Sequence, residues 1–156
     1  DDGRRAEASA VAVREVLSAA ATRAELTGSR VAVTFDPKAA AVRVMEFRWA
    51  GSPADWDAGG TWQEDSLVPA AAIQDAQFTS VRADDFAADP GAWTVEFPPG
   101  QRRPALSLVL AEKTSTRSWQ IDLPSGSMRA ALTSGAAGAS DSTVDLDAAG
   151  RQEDPW

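Results

Sequence analysis

An α+β fold, one long N-terminal helix packed on antiparallel β-sheet, follows from three observations. The first 27 residues repeat apolar side chains at helical spacing. Gly28 ends that pattern, and an alternating run begins at Val31. From Trp93 to Leu123 the alternation has period two and is broken only by turn-forming connections.

The helix is expected over residues 4–27. Ala6, Ala10, Val13, Val16, Leu17, Ala20 and Ala24 share one narrow sector of its surface. Arg4, Glu7, Glu15, Thr22 and Glu25 lie on the far side, with Val11 and Leu26 as isolated apolar exceptions. Alanine dominates the stripe, so it favours the helix and lets another backbone approach closely. At 1.5 Å per residue the helix is about 36 Å long. Gly28 is placed for a left-handed C-terminal cap.

Val31, Val33 and Phe35 alternate with Ala32 and Thr34, and Asp36-Pro37-Lys38 reads as a turn. The return strand, residues 41–49, changes phase: Val42 and Val44 lie on one face, Met45, Phe47 and Trp49 on the other. A bulge near Val44 is the expected reconciliation. Residues 50–75 read as loop, with Trp56 and Trp62 folded back as lids over the sheet edge rather than forming a binding platform. Residues 77–82 suggest a short strand, followed by an acidic loop.

Three runs then carry the clearest β signal: Trp93/Val95/Phe97, Leu106/Leu108/Leu110 and Trp119/Ile121/Leu123. They are expected to form one meander with the helix laid across it. A last short strand is expected over residues 128–132. These elements make residues 1–132 one globular domain and 133–156 an acidic flexible tail, with five acidic residues against one arginine.

Composition excludes several chemistries. The 156 residues include no histidine, cysteine or tyrosine. Thiolate or imidazole metal sites, and catalysis by Ser-His-Asp or Cys-His, therefore have no residues here. A net charge of −8 argues against a general nucleic-acid surface. The chain starts at Asp1 rather than methionine, as a processed or trimmed protein would, and has no apolar run of membrane-spanning length.

Three clusters of charged residues bear on chemistry. Asp141, Asp145 and Asp147 before Gly150 offer hard oxygen ligands, but neither the order nor the closing glutamate of a calcium loop is present. Asp84, Asp85 and Asp89 read as solvated loop charge rather than a catalytic carboxylate pair. Arg102, Arg103 and Arg129, with Arg117, are candidate anion or DNA contacts, although Arg117 falls at the opposite end of the middle strand from the first two. No glycine-rich phosphate loop appears. No enzyme activity, cofactor, metal or small-molecule substrate is expected.

Residues 21–35, ATRAELTGSRVAVTF, resemble the passage from helix to first strand in GspH/FimT-type pseudopilins. Val95-Glu-Phe-Pro-Pro-Gly100 is similar to that family's F-x-P-x-G segment, and residues 118–126 to its final strand and turn. The resemblance covers about residues 4–130 and rests on the order and spacing of the motifs. It implies a pilin-like fold and a minor subunit of a periplasmic filament, a type II secretion pseudopilus or a type IV pilus. It also implies an inner-membrane anchor in a helical half preceding Asp1, cut by a prepilin peptidase and methylated at its new N-terminus. Partners would be other pseudopilins or pilins, with Val11 and Leu26 as candidate subunit contacts. DNA-binding members carry a basic Gly-Arg-x-Arg-like segment, and the matching Gly126-Ser-Met-Arg129 has one arginine. Protein export is the expected role, and a DNA- or ligand-binding type IV pilin the alternative.

Overall fold

A computed structural model describes residues 2–49 and 59–136. Among these residues one helix, α1 (Asp2–Thr27), is followed by ten strands arranged in two antiparallel sheets. The stripe expected on the helix is the buried one, since Ala6, Ala10, Val13, Val16, Leu17 and Ala20 are all at most 3% exposed. Ala24, at its end, is half-buried. Ser9 and Ala21 widen the stripe, because α1 rests on strands of both sheets and so needs a broader covered face. Ser9 repays its burial with hydrogen bonds: its Oγ donates to the Arg5 carbonyl and accepts from the Gln74 N–H, both at 2.9 Å. Gly28 closes the helix at φ 66°, its N–H donating to the Ala24 carbonyl at 3.2 Å.

The first sheet holds β1 (Val31–Asp36), β2 (Ala41–Trp49), β3 (Gly60–Glu64) and β7 (Trp93–Phe97) in the order β3-β2-β1-β7. The two-residue β4 (Ala71–Ala72) pairs with the start of β2. The second sheet holds β5 (Ala76–Ala83), β6 (Phe86–Ala87), β8 (Leu106–Glu112), β9 (Arg117–Leu123) and β10 (Ala131–Ala136) in the order β10-β9-β8-β5-β6. Rings join the sheets. Phe35 of β1 meets Phe78 of β5 edge-on at 5.1 Å, and Trp93 of β7 meets Phe78 at 5.4 Å.

Several expectations need correction. The Trp93 run does not pair with the Leu106 run. It joins β1 instead, with Phe35 opposite Trp93, Val33 opposite Val95 and Val31 opposite Phe97. The connection between β7 and β8 contains Pro98, Pro99 and Pro104, whose fixed φ suits a crossing between sheets better than a tight hairpin. The anticipated single meander is therefore shared between two sheets.

The bulge near Val44 is also absent, because β1 and β2 pair without interruption from Asp36/Ala41 to Val31/Glu46. The change of phase has another cause. Val42 and Val44 face the core, while Met45, Phe47 and Trp49 occupy the opposite face, which is apolar too. The pairing irregularity falls in β5, between Phe78 and Ser80.

Residues 59–75 are not all loop, since they include β3 and β4. Trp62 sits on β3 opposite Phe47; Trp56 lies outside the described residues. The final strand starts at Ala131 and continues to Ala136, so pairing with β9 carries the sheet past Leu132, the expected limit of the domain. The remainder of the expected tail, residues 137–156, lies outside the described residues.

Candidate assembly surface

The helix contributes the first candidate contacts. Leu26 is 78% exposed in the last turn, whereas Val11 is partly covered by its surroundings. Fifteen residues separate them, about 22 Å along the axis, so they do not form one patch.

A more continuous surface runs beside the helix. Two adjoining hollows of about 370 and 550 Å³ share Ala19, Leu67 and Val68, and together form one groove between α1 and the β3–β4 connection. Ala12 and Glu15 border one end, and Met128 and Arg129 the other. Leu67 is 74% exposed and Met128 46%, so apolar side chains stand in solvent along the groove.

Asp65 explains why Leu67 stands there. It is 7% exposed, and its Oδ2 accepts from Arg23 Nε at 2.7 Å. Its Oδ1 accepts from the Leu67 N–H at 3.0 Å, while its backbone carbonyl accepts from the Val68 N–H at 3.2 Å. This turn drives Val68 into the core and leaves Leu67 pointing away from it. Ser18 secures the other bank, its Oγ accepting from the Ala130 N–H at 2.9 Å. Sequence reading missed both anchors. The one available signal was an Asp-Ser pair ahead of Leu-Val-Pro, which is turn chemistry.

The candidate anion-binding arginines are largely engaged internally. Arg102 donates through Nε and Nη2 to Ser125 Oγ at 3.2 and 3.1 Å. Arg103 donates to the Pro124 carbonyl at 2.6 Å and to the Ser127 carbonyl, with its guanidinium 5.5 Å from the Phe97 ring centre. Burial pulls the Arg103 guanidinium below the usual arginine value, and Glu25 acts in the opposite direction. These two arginines staple the β7–β8 connection onto the β9–β10 connection. Arg129 borders the groove. Arg117 is at the start of the helix, 3.8 Å from Glu7 and 3.9 Å from Glu112, and the structure does not bring it to the others.

The loop carboxylates hold turns. Asp84, at φ 52°, exchanges hydrogen bonds with Ala105: its N–H donates to the Ala105 carbonyl and its Oδ1 accepts from the Ala105 N–H. Asp89 Oδ1 accepts from the Gly91 N–H, and the Asp85 carbonyl accepts from Arg82. Among the described residues no group of three or more acidic side chains is placed to hold a metal ion. Asp141, Asp145 and Asp147 lie outside the described residues.

A further cluster, also unforeseen in its geometry, covers the outer face of the first sheet. Phe47 lies edge-on to Trp49 at 5.0 Å and to Trp62 at 5.4 Å. Arg30 sits 4.4 Å over the Phe47 ring and 5.3 Å from Trp62, held by two hydrogen bonds to Glu96. Those bonds raise the Arg30 pKa. Gly60 leaves the space Phe47 needs, since a Cβ there would fall 2.6 Å from the ring.

A long N-terminal helix across two antiparallel sheets is the pilin-like α+β architecture. Among solved structures, the chain is similar to the minor pseudopilin EpsH from the Type 2 Secretion System of Vibrio cholerae, with a TM-score of 0.55 and 16% identity. The match covers 86% of this chain and 98% of EpsH, so the likeness extends over the whole fold. No family model matches the sequence, and no curated protein matches it. Among the described residues no helix is long and apolar enough to cross a membrane.

Proposed function

We propose that this chain is a non-enzymatic structural subunit, a GspH-like minor pseudopilin of a type II secretion pseudopilus that supports protein export. The observation that carries this reading is the likeness of its fold to EpsH over nearly all of that protein. Assembly would proceed by helix packing. A helical segment preceding Asp1 would hold the subunit in the inner membrane, with the domain on the periplasmic side. The N-terminus created by prepilin peptidase cleavage would be methylated. Neighbouring pseudopilins would meet the exposed Leu26, the region of Val11 and the groove beside α1.

The internal engagement of Arg102 and Arg103 supports export over DNA binding, because their donors already meet Ser125, Pro124 and Ser127. The test is mass spectrometry of the protein isolated from membranes, read with the encoded residues upstream of Asp1. A basic leader, then a methylated N-terminus and about 20 apolar residues, is expected, the length a membrane span requires. An ordinary cleaved secretory signal ending next to Asp1 would sink the reading, since no anchor would remain.

A further inference from the structure

We propose that the groove beside α1 is the contact surface of a closed, two-fold dimer of this chain. The inference rests on the groove and not on the export reading. Its ends carry opposite charge, with Glu15 at one and Arg129 at the other. Arg23 also borders the Arg129 end, but Asp65 already engages it at 2.7 Å, which leaves Arg129 to meet a partner. Glu15 is 68% exposed, and its ion pair with Arg14 at 3.4 Å is of the solvent-screened kind that contributes little.

A two-fold axis perpendicular to the groove sets the helices of two copies antiparallel. Each Glu15 then faces the Arg129 of the other copy, and each Leu67 covers the apolar middle of the opposite groove. Parallel helices in register would set like charges together instead. The two-fold arrangement needs only one surface, because an isologous interface is complementary to itself. It also buries Leu67 and Met128, two of the large apolar side chains otherwise left in water.

From Ala12 to Thr22 the groove is about 15 Å long, short of what the roughly 800 Å² per partner of a standard interface occupies. The dimer is therefore weak and depends on concentration. Its consequence for assembly is regulatory: a closed pair hides the groove from any other subunit.

Analytical ultracentrifugation of the whole chain from about 10 µM to 1 mM tests this over the range expected for a small interface. The mass should rise from the 16.4 kDa monomer to twice that value and stop. Glu15→Arg and Arg129→Glu should each move the midpoint upward about tenfold, by placing like charges in contact. An equimolar mixture of the two variants should recover it, because each supplies the charge the other lacks. Leu67→Asp should abolish the dimer without lowering the melting temperature, its side chain being exposed. A monomer throughout the range, growth past the dimer, or a dimer indifferent to both charge reversals would overturn the proposal. None of these outcomes bears on the membrane N-terminus, so the two proposals fail separately.

Discussion

The two sheets are assembled over different distances along the chain. In the second sheet β8, β9 and β10 follow one another in sequence and in space, and the β8–β9 turn spans only residues 113–116. In the first sheet β1 and β2 form a local hairpin, but β7 arrives about 60 residues later to take the far side of β1. The faces differ as well. The inner positions Leu106, Leu108, Leu110, Ile121 and Leu123 of the second sheet are all at most 1% exposed and alternate with more accessible positions. The first sheet instead places apolar side chains on both faces of β2. Local, one-faced pairing leaves a regular record in the sequence. Distant, two-faced pairing does not.

The largest expected effect compares a tryptophan from each sheet. Trp119 of β9 is 2% exposed and Trp93 of β7 is 4%, and truncating either to alanine should cost about 3–5 kcal/mol. Trp93 additionally buries an indole N–H without a partner. Removing that orphan donor returns part of the loss, so Trp93→Ala should be milder than Trp119→Ala by about 1 kcal/mol. Urea denaturation of both variants measures the difference. Trp93→Phe sharpens it, as it keeps most of the ring packing without the N–H and should be close to neutral. A penalty as large as that of Trp93→Ala would show that the orphan costs nothing.

This contrast also accounts for what could be read before the structure. The helix stripe was legible because its period is local and alanine, valine and leucine leave little ambiguity over residues 6–20. The strands around Leu108 and Ile121 were legible for the same reason. The partner of Trp93 was not, because Val95 and Phe97 alternate equally well with β1 or β8, and nothing local distinguishes the two. The phase change after Val44 was visible, but its meaning depended on Trp62 and Arg30 arriving from elsewhere to cover Phe47. The groove was less legible still. Its exposed ridge, Leu67, owes its position to a contact between Asp65 and Arg23 across 42 residues. Of the proposed contact residues, Val11 and Leu26 stand out in the sequence as candidate subunit contacts because they break the helical pattern, while Arg129 stands out only as a candidate anion contact.

Asp65 gives the next effect in size, because it joins the connection after β3 to the helix. Asp65→Ala removes one charged hydrogen bond to Arg23 and another to the Leu67 N–H, at an expected cost of about 2 kcal/mol. Hydrogen exchange should locate the loosening in residues 65–72 and spare β8 and β9. Uniform loss of protection would mean that the two sheets unfold as one unit and that their separate assembly has no energetic counterpart.

The smallest effect lies in the β1–β2 hairpin of the first sheet. Ala40 adopts φ 51° in the turn between β1 and β2, where a Cβ crowds the backbone. Its carbonyl accepts from the Ile73 N–H at 2.8 Å, so the conformation also ties this turn to the segment after β4. Glycine keeps that hydrogen bond and relieves the crowding, at the expense of a more flexible unfolded chain. Ala40→Gly should therefore stabilise the protein by about 0.5–1 kcal/mol, visible as a melting temperature raised by a few degrees. A lower melting temperature would indicate that unfolded-state entropy outweighs the strain. The hairpin would then carry no net stored strain, and the contrast between the sheets would reduce to the reach of β7 alone.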